Sequence, residues 1–125
     1  MSERHRKPYT VVNFCCDRVA LTLRGWFLNE AGYRVLNSSN GFEAIRLSAS
    51  EEVHAAVLDL DHNRTEVTLI AQEIKRLRPQ IVTVVVTERT VPMDGVCELA
   101  DALVPREHGP ETLVKSLQRI LAGGV

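Results

Sequence analysis

The chain has 125 residues, 45% of them hydrophobic and 25% charged, which is the size and composition of one soluble globular domain and excludes disordered, collagenous and disulfide-scaffold readings. Fifteen Lys and Arg against sixteen Asp and Glu leave a formal charge of −1, too balanced for the broad basic face that nucleic-acid binding uses. No apolar run reaches the ~18 residues of a membrane span and the polar start is not a signal peptide, so a cytoplasmic location with no membrane partner is expected.

Residues 1–8 read as a polar tail, in which Arg4, His5, Arg6 and Lys7 form a solvated basic cluster. A single domain is expected over 9–122, with 123–125 as a C-terminal tail. Thr10 to Phe14 make the first strand, with Asn13 its one polar intruder. Asp17 is placed to cap a helix in which Val19, Leu23, Trp26 and Phe27 follow at helical spacing, and Gly32 supplies the left-handed turn that ends it. Gly25 in that helix costs about 1 kcal/mol relative to Ala.

Tyr33 to Leu36 form a second strand, and Asn40-Gly41-Phe42-Glu43 is an asparagine version of the capping box ahead of a second helix. Ala55 to Leu58 lack polar alternation and predict a strand buried on both faces, running straight into Asp59. Asn63 or Thr65 then caps a helix with Val67, Ile70, Ile74 and Leu77 on its apolar line, stopped by Pro79. Ile81 to Val86 is a β-branched strand. A short helix between Pro92 and Ala100, a strand at Leu103-Val104, and a last helix opened by Pro110 with Leu113, Leu117, Ile120 and Leu121 inward complete the pattern, ended by Gly123-Gly124. The order is (βα)5, an α/β domain with a parallel sheet between two helical layers.

In open parallel sheets, ligands sit beyond the carboxyl ends of the strands. The residues at those ends are Cys15, Cys16 and Asp17; Asp59, Asp61 and His62; Thr87 and Glu88; Arg106 and His108. No glycine-rich phosphate loop and no Walker lysine accompanies them, and no nucleophile with an oriented base can be placed, so the chain is not expected to be an enzyme. Cys15, Cys16 and Cys97 are odd in number and two are neighbours, which argues against a disulfide framework.

Asn29 to Val35, Asn40 to Ile45, Val57-Leu58-Asp59-Leu60, Val84-Val85-Val86-Thr87 and Leu99 to Val104, in this order and spacing, resemble the receiver domains of two-component response regulators. The likeness runs from Thr10 to Leu121. It implies a flavodoxin-like, doubly wound three-layer fold with strand order 2-1-3-4-5. It implies a stand-alone receiver in phosphorelay signal transduction whose partner is a histidine kinase, another signalling protein or a second copy in a homodimer. Asp59 then falls on the phosphoacceptor position, and Thr87 and Arg106 on the phosphate-contact positions.

The other pocket positions depart from the family pattern. Cys15-Cys16 stand where an acidic pair grips magnesium, Asp17 is one place late, Arg106 replaces a lysine and Glu107 the proline after it. Glu88 replaces a small residue, Leu103 an aromatic one, and Asn63 and Val67 stand in place of proline and glycine. Magnesium is a hard cation that takes oxygen ligands, and thiols are mostly neutral at pH 7, so metal binding should be weak or absent and no cofactor is expected. The planar Arg106 fork suits a fixed pair with Asp59. The leading expectation is a phosphorylation-independent binding module. The alternatives are a working phosphoacceptor at Asp59, with Asp17 or Asp61 supplying metal ligation, and a redox or metal sensor at Cys15-Cys16 with His62 nearby.

Overall fold

β-Branched and alanine-rich runs form the interior strands, and the helices between them are amphipathic connections that carry the chain back across the sheet. The computed structural model of the protein describes residues 8–60, 64–88 and 96–123. The elements among the described residues are β1 (Thr10–Phe14), α1 (Arg18–Glu30), β2 (Arg34–Ser38), α2 (Gly41–Ser50), β3 (Ala55–Leu60), α3 (Arg64–Leu77), β4 (Val82–Thr87), α4 (Val96–Leu99), β5 (Ala102–Pro105) and α5 (Gly109–Leu121), with a 3-10 turn over Arg106–His108 ahead of α5. All strand pairs are parallel and the order is β2-β1-β3-β4-β5, the flavodoxin-like arrangement that the resemblance implies.

Because successive strand residues face opposite ways, the sheet divides two cores. Val12, Phe14, Ala56, Leu58, Leu60 and Val85 pack with Val67, Ile70, Ala71 and Ile74 of α3 and Ala44 of α2. Val11, Ala55, Val57, Val84, Val86 and Val104 pack with Leu28 of α1 and Leu113 and Leu117 of α5. The first face ends in Phe14 and Leu60 with the uncharged hydroxyl residues Ser38 and Thr87 beside them. On the second, the alternation continues into Asn13, Cys15 and Asp59, all buried, so polar side chains gather at the carboxyl edge.

Local signals read from the sequence act largely as expected. Asp17 Oδ1 accepts from the Val19 and Ala20 N–H groups at 2.9 and 3.2 Å, and Gly32 adopts φ +102°. Asn40 Oδ1 accepts from the Glu43 N–H at 3.0 Å, but the Asn40 N–H is taken by Ser38 Oγ instead of Glu43, so only half of the capping box forms. At the opposite edge, Tyr9 Oη donates to the Leu121 carbonyl at 3.0 Å and stacks edge-on against His54.

Four local expectations are corrected. β2 starts at Arg34 because Tyr33 completes the α1 turn, its N–H bonded to the Leu28 carbonyl. α3 already includes Thr65 as its second residue, so Thr65 is not the cap; Asn63 lies outside the described residues. Leu77 ends α3 exposed. The largest correction concerns α1: Val19, Leu23, Trp26 and Phe27 do not face the core but are 68%, 57%, 56% and 39% exposed, while Gly25 and Leu28 are its buried residues. Gly25 has a packing reason, since a Cβ there would lie 2.8 Å from Asn37 Oδ1, which accepts from buried Asn13 Nδ2 at 2.9 Å.

Candidate functional site

The register sets the centre of the site. Phe14 pairs with Leu58, so Cys15 falls one rung further, beside Asp59; Asp59 pairs with Val86 and Leu60 with Thr87, and Thr87 pairs with Pro105, the residue before Arg106. Asp59, Cys15, Thr87 and Arg106 therefore meet at the carboxyl edge because four adjacent strands end there together.

Asp59 is enclosed. Its side chain is fully buried, and both carboxylate oxygens are engaged. Arg106 Nη2 donates to Oδ1. Arg24 Nη2, reaching in from α1, donates to Oδ2 at 2.7 Å, with only 10% of the Arg24 side chain exposed. The Cys15 thiol points to the same Oδ2 at 3.5 Å. Arg106 continues outward, its Nη1 lying 3.4 Å from Glu88 Oε2. Two guanidiniums and two carboxylates thus alternate from the interior to the surface with no net charge. Such charge-assisted bonds are the stronger class of hydrogen bond, and removal of a partner from the buried Arg24–Asp59 pair leaves an uncompensated interior charge.

Burial pushes the Cys15 thiol above its ordinary range, and the adjacent Asp59 carboxylate pushes the same way, so the thiol is neutral at pH 7. Cys16 turns the other way: it is exposed, with its Sγ 3.8 Å from Glu66 Oε1. The neighbouring cysteines therefore serve different environments, and among the described residues no group of three or more His, Cys, Asp or Glu could hold a metal ion. Asp17 is an exposed helix cap, its Oδ1 committed to backbone N–H groups. Thr87 is buried at the end of β4. Glu88 and His108 are exposed. Asp61 and His62 lie outside the described residues, as do the basic tail cluster and Pro92 to Gly95, where the short helix was expected to begin.

Arg24 is the residue that the sequence reading missed. Its signal was present: Arg24 lies one turn before Leu28 and next to Gly25, so it shares the line of α1 that faces the sheet. A charged residue on a buried helical line requires a buried partner, and Asp59 is that partner.

No family model and no curated protein sequence matches the chain. Solved structures do. A CheY-like response regulator receiver domain from Methanospirillum hungatei superposes with a TM-score of 0.83 at 21% identity, covering 94% of this chain and 96% of that one. The fold is the receiver fold. The chemotaxis protein CheY4 of Vibrio cholerae follows at 0.81 and 19% identity, covering 90% and 98%. The receiver domain of a sensor histidine kinase from Pseudomonas aeruginosa, with magnesium coordinated in its active-site cleft, superposes at 0.80 with 18% identity over 92% and 98%.

Among the described residues, the neighbours of Asp59 do not suit that ion. Magnesium needs several oxygen ligands in near-octahedral geometry. Beside Asp59 the chain offers a neutral thiol, and the Arg24 guanidinium already lies on Oδ2. No described helix is long and apolar enough to cross a membrane.

Proposed function

We propose that the protein is a receiver-type signalling module of the two-component class that works by binding, without catalysis and without accepting phosphate at Asp59. One observation carries this reading: the Asp59 carboxylate is fully buried with Arg24 on one oxygen and Arg106 on the other. In-line attack on a phosphodonor needs an oxygen lone pair facing the donor and a cation that neutralises the incoming oxygens. Here both oxygens are held by fixed donors, and the cations are tethered side chains that cannot coordinate donor oxygens as magnesium does.

A phosphoryl group usually changes the charge of a receiver pocket and so shifts the balance between its conformations. In this chain the Arg24–Asp59–Arg106–Glu88 array supplies a standing charge balance that holds one conformation. Signalling then depends on which proteins dock on that conformation. The receiver fold favours a histidine kinase or another two-component protein as the partner, with a second copy of the chain as the alternative.

The test is intact-mass spectrometry after incubation with acetyl phosphate and excess magnesium, run beside Asp59→Asn. The expected result is no adduct on either protein, with both folded by circular dichroism. A phosphoryl adduct that disappears in Asp59→Asn would overturn the proposal and make the chain a phosphoacceptor with an altered pocket.

A further inference from the structure

Between α1 and α5, next to the Asp59 cluster, lies a groove of about 230 Å³, room for about eight water-sized volumes. Its walls are mostly apolar, with Leu23 and Phe27 on α1 and Val104 and Leu113 on the other side, and Arg24 and Arg106 border it. This combination of an apolar body site and a few convergent polar groups is typical of small-molecule pockets.

Three further observations give the groove a charge preference. Arg24 Nη1 is buried and has no hydrogen-bond partner among the described residues, on a side chain nine-tenths buried. A guanidinium donor left without an acceptor costs free energy that an incoming anion would recover. The amino end of α5 also borders the groove at Gly109 and Pro110, and its capping residue, His108, makes no side-chain capping bond. The amino end of this 13-residue helix thus has no side-chain cap, and Glu111 is the acidic residue of its first turn. Finally, Glu88 already rests a carboxylate on the outer face of Arg106 while its own side chain is 65% exposed.

We infer that the α1–α5 groove is a binding site for a small monocarboxylate carrying a branched or cyclic hydrocarbon body. The carboxylate takes the place of Glu88 near Arg106 and supplies the missing acceptor for Arg24, and the hydrocarbon lies against Leu23, Phe27 and Leu113. The charge arithmetic selects a monoanion: with Glu88 turned to solvent, Arg24 and Arg106 exceed Asp59 by one positive charge. This inference does not require the binding-module reading, because the groove stands beside the Asp59 carboxylate and not on it.

Trp26 is the single tryptophan and packs edge-on against Phe27 with ring centroids 5.1 Å apart, so its fluorescence reports on the groove. The experiment titrates the full chain with cyclohexanecarboxylate, with cyclohexylmethanol and acetate as the neutral and bodiless controls. Cyclohexanecarboxylate is expected to give a saturating change at roughly millimolar concentration or below, at least about tenfold tighter than either control. Glu88→Gln should tighten it several-fold, and Ala20→Phe, which fills the α1 wall of the groove, should abolish it. The paired change Arg24→Gln with Asp59→Asn removes the Arg24 donor while Arg106 keeps the single excess positive charge, so it should reduce the preference for the acid over the alcohol several-fold without erasing it. The inference fails if no saturation is seen, if the alcohol or acetate binds as tightly as the acid, or if folded Ala20→Phe titrates like the parent chain. Acetyl phosphate labelling is read separately, so loss of the groove proposal leaves the sealed-carboxylate proposal intact.

Discussion

α3 and α1 present the same kind of apolar line in the sequence and use it in opposite ways. In α3, Val67, Ile70, Ala71 and Ile74 are buried against the sheet, and the charged residues face out. In α1, Val19, Leu23 and Trp26 face out, and the inward line holds Arg24, Gly25 and Leu28. The difference lies in what each helix covers. α3 lies on a sheet face whose polar strand ends, Ser38 and Thr87, are uncharged, whereas α1 lies on the face that ends in Asn13, Cys15 and the carboxylate of Asp59. A buried carboxylate needs a cation more than the protein needs another buried leucine, since an unpaired internal charge costs several kcal/mol and an exposed leucine costs much less.

The largest effect should come from breaking the inward line of α1 at its partner. Asp59→Ala leaves two arginines facing one another and should destabilise the fold by about 3–5 kcal/mol in urea melts. Replacing Asp59 by Leu together with Arg24 by Met should recover most of that loss, because a packed apolar pair needs no desolvated charge. Ile74→Ala tests the corresponding line of α3 and should cost about 2–5 kcal/mol through lost burial and a cavity. If Ile74→Ala proved nearly neutral, the contrast between the helices would collapse.

A third prediction separates the neighbouring thiols of the α1 edge. The raised pKa of Cys15 means that the folded state keeps its proton where the unfolded chain has lost it, so stability contributed by the neutral thiol is complete below the ordinary thiol range and is lost as pH rises through the folded value. Tyr33, raised mainly by burial, adds to the same alkaline loss. The urea midpoint should therefore fall as pH rises above the ordinary thiol range, and Cys16 should be alkylated by iodoacetamide well before Cys15 throughout. Equal labelling rates in the native state would contradict the enclosed Cys15. The smallest effect belongs to the outward line: Leu23→Ala should change stability by no more than about 0.5 kcal/mol, although it removes as many carbons as a core leucine substitution does.

The sheet was legible in the sequence because strands buried on both faces are recorded in uninterrupted runs such as Ala55 to Leu58, and because Asp17, Gly32 and Pro79 mark helix ends through local backbone chemistry. The Asp59–Arg106 contact was legible for a related reason: both residues close strands, and parallel register carries strand ends to one edge. Arg24 was not, because periodicity reports that a helix has two faces without saying which faces inward. The local sign of that choice is only the spacing of Arg24 and Gly25 with Leu28, which becomes readable once Asp59, 35 positions away in sequence, is taken as the partner of Arg24. The splitting of Cys15 from Cys16 was hidden for the opposite reason: strand alternation and the onset of α1 separate them within one residue step.

The Tyr9 hydroxyl bonded to the Leu121 carbonyl has a use that concerns handling the molecule. It places the start of β1 and the finish of α5 side by side at the sheet edge remote from Asp59. A fluorescent protein, affinity handle or surface tether joined at the start of β1 or the finish of α5 would leave from that remote edge. The same adjacency makes the chain a good subject for circular permutation: a short linker across Tyr9 and Leu121, with new ends opened in an exposed loop, should preserve the order of the strands and leave the arginine-clamped carboxylate intact.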